Sequence, residues 1–149
     1  MKTKTTICDI NHEDLVELLS TACYGSSWFG VDYNVTEYKN SAPKEGDCIE
    51  DKCAKILLHG FSITLYDMYA EDEDDHYGTL PHHWDEDARY MDYTVTLKDI
   101  ERGLSKALDA GGWSAKYVHN LINAEDGDFD QPQAEALVQW IIFGEEIYG

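Results

Sequence analysis

Near the start of the chain, and again through its last third, apolar positions recur at helical spacing. Between those regions they alternate. Asn11 precedes Glu13-Asp14-Leu15-Val16-Glu17-Leu18-Leu19, in which acids occupy the first turn and the leucines share a face. This predicts a helix capped by Asn11 and ended by Gly25. Residues 28–38 alternate and are rich in aromatic and β-branched side chains, which predicts a strand. Pro43, Gly46 and mixed charge make residues 40–51 a loop. Two further strands are expected at 54–59 and 61–69, parted by Gly60. In the second of these, Ile63, Leu65 and Asp67 alternate with Thr64, Tyr66 and Met68, so neither face is cleanly apolar.

A long connection follows, through the acidic residues to Leu80-Pro81-His82-His83-Trp84, part of which can extend the preceding strand. Tyr93-Thr94-Val95-Thr96 predicts a short strand or helix entry. Thr96 caps a helix from Leu97 to about Ala110, with Asp99 completing an approximate capping box and Gly111-Gly112 as the stop. Ser114 is expected to cap a shorter helix through Val118, Leu121 and Ile122. Pro132 fits the first position of a third, whose apolar face is Ala136, Leu137, Trp140, Ile141 and Phe143, with Gly144 at its end. The class is α+β: an antiparallel sheet of about three to four strands, an N-terminal helix and a C-terminal group of about three helices.

With 149 residues the chain reads as a single domain, 1–149, able to bury about 70% of its unfolded surface. An apolar fraction of 43% and an aromatic fraction of 12% exclude a disordered acidic tail. No apolar run approaches a membrane span, and Met1-Lys2-Thr3-Lys4 is not followed by the apolar core of a secretory signal, so a cytoplasmic protein is expected. Cys8, Cys23, Cys48 and Cys53 lack the paired tight spacing of a zinc site and read as small buried or half-buried thiols.

Charge changes this picture most. Asp and Glu number 30 against 11 Lys and Arg, a formal net charge of −19. Ten of those carboxylates fall between Asp67 and Asp92, with Arg89 as the only Lys or Arg among them. Their centres are Glu71-Asp72-Glu73-Asp74-Asp75 and Asp85-Glu86-Asp87. One-sign charge at this density repels itself and destabilises a compact state. Retaining it implies a return, in solubility or in a basic partner.

The other chemical motifs are weaker. Asp126-Gly127-Asp128-Phe129-Asp130 opens like a calcium loop, but Gln131 and Leu137 stand where such a loop needs Gly and Glu, so it reads as a capping turn. His82 and His83 beside Asp85, Glu86 and Asp87 lack a defined third metal ligand, and neither a metal nor another cofactor is expected. No nucleophile elbow, Walker loop or dinucleotide fingerprint is present, so no catalytic residue is assigned and the chain is not expected to be an enzyme. Direct nucleic-acid binding is disfavoured, because Lys2/Lys4, Lys52/Lys55 and Arg102/Lys106 are each diluted by acids.

The converse reading suits the composition. B-DNA carries about one charge per 1.7 Å of axis. A strand rises about 3.3 Å per residue, and i, i+4 neighbours on a helix lie about 6 Å apart. Runs of acids on either scaffold approximate a phosphate track. Tyr66, Tyr69, Tyr77, Trp84, Tyr90 and Tyr93 are interleaved with them as apolar anchors.

Thr96-Leu97-Lys98-Asp99-Ile100 with Gly103-Leu104, then Asp126 to Asp130, then Gln139-Trp140-Ile141-Ile142-Phe143-Gly144-Glu145-Glu146-Ile147-Tyr148-Gly149 resemble a group of small acidic phage and mobile-element proteins of Gram-positive bacteria. These tend to end in a Q-x-x-x-F-G-x-x-x-Y/F-G pattern. The resemblance covers about a third of the chain and implies a mobile-element setting. In size and charge the chain is also similar to DNA mimics that block restriction enzymes or CRISPR nucleases.

The expected function is therefore an inhibitory binding protein, acting in the bacterial cytoplasm on a basic nucleic-acid-binding protein such as a CRISPR effector or restriction enzyme. Its contact residues would be Asp72, Glu73, Asp74, Asp75, Tyr77, Trp84, Asp85, Glu86 and Asp87. The alternative is a non-enzymatic structural or regulatory protein whose aromatic interface, built on Trp140, Phe143, Ile147 and Tyr148, packs into the domain or against a second copy as a homodimer.

Overall fold

Asn11 opens the first helix, α1 (His12–Cys23), by a reciprocal cap. Its side chain accepts from the Asp14 amide at 2.8 Å, and Asp14 accepts from the Asn11 amide at 3.2 Å. The computed structural model describes residues 9–26 and 28–148, so Cys8, the Lys2/Lys4 pair and Gly149 of the terminal pattern lie outside the described residues. Strand β1 (Phe29–Asp32) follows, then the short helix α2 (Val35–Lys39), α3 (Ile49–Leu58) and β2 (Ser62–Asp67). The hairpin β3 (His82–Asp85) and β4 (Tyr90–Thr96) leads into α4 (Leu97–Ala110) and α5 (Gly112–Ile122). A single 3-10 turn, Ala124–Asp126, precedes α6 (Gln131–Ile142). Among the described residues there are thus six α-helices and one four-stranded antiparallel sheet in the order β1-β2-β4-β3, an α+β fold.

Three expectations are corrected. The strand expected at 28–38 stops at Asp32, because Asn34 accepts from the Glu37 amide at 3.0 Å and caps α2. The strand expected at 54–59 gives way to α3, which also takes residues 49–51 from the end of the expected loop, while residues 40–48 remain a loop. The buried residues of α3, Cys53, Ala54, Ile56 and Leu57, fit helical spacing as well as a short apolar run. At its start Asp51 accepts from the Cys48 amide and thiol at 3.3 and 3.1 Å, a cap built on a residue that is not a usual capper. The long connection is shortened by β3, and the segment 93–96 is only the second half of β4.

The C-terminal helices keep close to their expected bounds. Thr96 and Asp99 form the capping box of α4. The start of α5 is Gly112 rather than the residue after Ser114, and Asp130 caps α6 with Pro132 in its first turn.

The inner face of the sheet carries Phe29, Ile63, Leu65, Met91, Tyr93 and Val95, all buried. The helices close over it with Leu15, Leu18 and Leu19 of α1, Ile56 and Leu57 of α3, Ile100 and Leu104 of α4, and Leu137, Val138 and Ile141 of α6. Burying side chains of this size contributes about 1.5–3 kcal/mol each. Cys23 and Cys53 belong to this interior, and burial pushes both thiols up to about 12, whereas Cys48 is exposed. Among the described residues no helix is long and apolar enough to cross a membrane.

Candidate acidic interface

The acidic connection leaves β2 at Asp67, which the strand's alternation places on the inner face, where it is fully buried. Its Oδ2 accepts from the Tyr148 hydroxyl at 2.5 Å and its Oδ1 from the Tyr69 amide at 2.9 Å. Burial pushes this carboxyl above the usual range, and the two hydrogen bonds pull it back. Tyr148 packs against Tyr69, Trp28 and Phe143 at ring separations of 4.8, 5.9 and 5.6 Å. Phe143 in turn meets Tyr77 and Tyr93.

The far end of the connection is held by the same cluster. The Tyr77 amide donates to the Tyr93 hydroxyl at 3.4 Å, and Leu80 is buried. Gly78 has φ of +78°, and a Cβ there would lie 2.7 Å from the Ile142 carbonyl oxygen, so only glycine passes this point of α6.

Between those anchors the acids shape their own turn. The Glu71 amide donates to Asp75 Oδ2 at 2.9 Å, and the Asp74 amide to Asp72 Oδ1 at 3.0 Å. Asp72, Glu73 and Asp74 are exposed and Asp75 is half-buried. A hydrogen bond to Asp75 raises the Tyr77 phenol.

The second cluster forms the β3–β4 turn. Asp85 Oδ1 accepts from the Ala88 amide at 2.8 Å, and Trp84 Nε1 donates to Glu86 Oε2 at 2.7 Å. Arg89 lies over the Trp84 ring at 5.7 Å, pairs with Glu86 at 3.7 Å and donates to the Glu71 carbonyl at 3.0 Å. The fold therefore brings the two acidic clusters together, and the one arginine among them is the clasp.

Register extends this surface across the outer face of the sheet. Tyr66 and Tyr90 pack at 4.5 Å there, flanked by Asp32, Asp85 and Asp92. Burial, then a hydrogen bond to Asp32, raises the Tyr66 phenol. Gly30 faces Tyr66, and a Cβ would meet its ring at 2.9 Å. Asp32 and Asp92 were not among the expected contact residues. Along the sequence Asp92 alternates with Tyr90 and Asp32 ends an alternating run, but that they share a face with Thr64 and Tyr66 becomes readable only once the strand order is known. Apart from Arg89, every described Lys and Arg belongs to residues 39–55 or 98–116 of the sequence.

The remaining candidates part company. His82 stacks on His76 at 4.0 Å, and its strand neighbour His83, on the opposite face, lies 3.5 Å from Asp92. Among the described residues no group of three or more His, Cys, Asp or Glu is arranged to hold a metal ion. Phe143, expected either in the domain or at an interface, is buried in the aromatic cluster, with Tyr148 half-buried beside it. No protein-family model matches the chain, and neither a curated protein nor a solved structure is significantly similar to it.

Proposed function

We propose that this chain is an acidic inhibitory protein that occupies the nucleic-acid channel of a basic partner, such as a CRISPR effector or restriction enzyme, and excludes its DNA or RNA without turnover. The observation that carries this reading is the joining of two acidic turns by Arg89 into one ordered surface, continued over the sheet by Asp32 and Asp92. Solubility alone needs only scattered charge. Here ten carboxylates lie between residues 67 and 92 with no lysine among them in sequence, and their loop is held by hydrogen bonds and by a buried aromatic base. A preorganised surface loses less entropy on binding than a mobile acidic tail. Trp84 and Tyr77 stand among the acids as apolar contacts.

The test replaces Asp72, Asp74, Asp75, Asp85 and Asp87 by Asn and Glu73 and Glu86 by Gln. Asn keeps the Oδ1 acceptor that Asp72 and Asp85 use toward the backbone, so the loop retains its turns. Wild-type protein should bind a basic nuclease competitively with its nucleic acid and weaken steeply with salt. The variant should lose that binding with an unchanged circular dichroism spectrum. Equal affinity of both proteins for the nuclease removes the mimicry.

A further inference from the structure

A groove of about 330 Å³ opens where the approach to β1 meets α5, α6 and the C-terminal segment. Trp28, Tyr117 and Tyr148 line it together with Glu135 and Glu146, and no Lys or Arg lines it. The walls are held in place. Gln139, 2% exposed, accepts from the Ile147 and Tyr148 amides at 2.7 and 2.8 Å and donates to the Tyr148 carbonyl at 3.3 Å. Glu135 accepts from the Ser26 hydroxyl at 3.0 Å, and Glu146 from Trp140 Nε1 at 3.4 Å. These donors are neutral, and among the described residues neither carboxylate has an ion-pair partner.

We infer that this groove captures an arginine side chain of the partner. Aromatic faces attract a cation through the ring quadrupole, and two carboxylates complete the neutralisation. A guanidinium fits better than an ammonium because it is planar, stacks on an indole or phenol ring and is less strongly hydrated. The groove adjoins the acidic loop: Trp28 meets Tyr69 at 5.6 Å, and Tyr69, 55% exposed, begins that loop. An arginine bordering a basic nucleic-acid channel therefore reaches the groove while the channel holds the acids. This rests on the proposed function for the partner's identity only.

The experiment needs no partner. Nα-acetyl-arginine amide is titrated into ¹⁵N-labelled full-length protein at about 0.15 M salt, where condensation on exposed acids is screened. The Trp28 indole N–H, the Gln139 side-chain amide and the Tyr117 and Tyr148 amides should shift along one saturable curve. The double variant Glu135→Gln/Glu146→Gln should weaken that curve by about tenfold, the loss expected for hydrogen bonds to a charged group. The citrulline analogue, neutral and nearly isosteric, should leave those signals in place. The loop-neutralised variant should respond as wild type does. Shifts confined to the acidic loop, an undiminished response in the double variant, or an equal response to citrulline or to lysine amide would each overturn the inference. Loss of the groove response with nuclease binding intact defeats the groove alone, and the reverse result defeats the mimicry alone.

Discussion

Arg89 Nη2 donates to the backbone carbonyl of Glu71 at 3.0 Å, across 18 residues of chain, from a backbone held at φ of +58°. One side chain thus ties the acidic loop to the acidic hairpin turn, and its own backbone sits in the left-handed region that favours glycine. The position carries two separable effects: a clasp made by the guanidinium and a conformational cost borne by any residue with a Cβ.

Arg89→Ala removes the clasp and keeps the cost. Because the guanidinium is exposed, the stability change should be small, about 0–1 kcal/mol. The local effect should be larger. Amides of residues 71–75 and 86–88 should exchange faster in deuterium-exchange mass spectrometry, while those of α4 and α6 stay protected. Arg89→Gly removes both effects and should be more stable than Arg89→Ala by about 0.5–1 kcal/mol. Unaltered exchange in the loop would show that its own turns and aromatic base suffice to order it.

Gly103, inside α4, is where the helical layer is tightest. A Cβ there would fall 2.5 Å from the Ile141 Cα and 2.8 Å from its amide nitrogen, so the obstacle is the backbone of α6. In an exposed helix Gly→Ala stabilises by about 0.5–1 kcal/mol. Here the sign should reverse, with Gly103→Ala destabilising by about 1–3 kcal/mol as the helices are forced apart. Urea denaturation at constant m-value measures this. A neutral or stabilising result would mean that α4 and α6 are farther apart in solution.

Much of this architecture is legible before any coordinates. Asn11, and Thr96 with Asp99, mark helix starts because their side chains are built to satisfy free amides, and both caps form as expected, with Asp14 adding an unexpected reciprocal bond to the first. Helix α3 is hidden for the opposite reason, since a cysteine stands at its cap and its apolar run suits either period. Asp67 obscures the alternation of β2 because a carboxylate stands at an inner position. The remote Tyr148 hydroxyl, 81 residues away, and the local Tyr69 amide together make that placement tolerable. The expected contact residues were readable as charge density. That Arg89 clasps them, and that Asp32 and Asp92 join them, depends on strand order and turn geometry, which one-dimensional patterning does not encode.

The same buried carboxylate sets an acid-side stability profile. The folded pKa of Asp67 lies above its ordinary 3.8, chiefly through burial. Ionising it therefore costs folding free energy. The penalty is absent below the unfolded value, grows as pH rises through the folded one, and is complete above it. Asp47 behaves oppositely. Lys55 Nζ at 2.6 Å and the Tyr38 hydroxyl at 2.7 Å hold its carboxyl down at about 2, so its stabilisation is full above about 3.8 and is lost as pH falls toward 2. Asp51, lowered first by His12 at 2.9 Å and then by Cys48, adds to the loss on the acid side. The net charge of −19 acts with Asp67, since acidification from neutrality relieves self-repulsion. Stability to urea should therefore rise as pH falls from 7, peak at about pH 4–5 and drop below that, a more acidic optimum than the usual range of about 5–8. Asp67→Asn keeps an acceptor for Tyr148 but has no charge to bury, so its decline between the peak and neutrality should be shallower than that of wild type. Parallel wild-type and variant curves would assign the whole neutral-side decline to surface repulsion. That alternative predicts that added salt flattens both curves equally, whereas a buried carboxylate is screened much less and leaves a residual slope in the wild type alone.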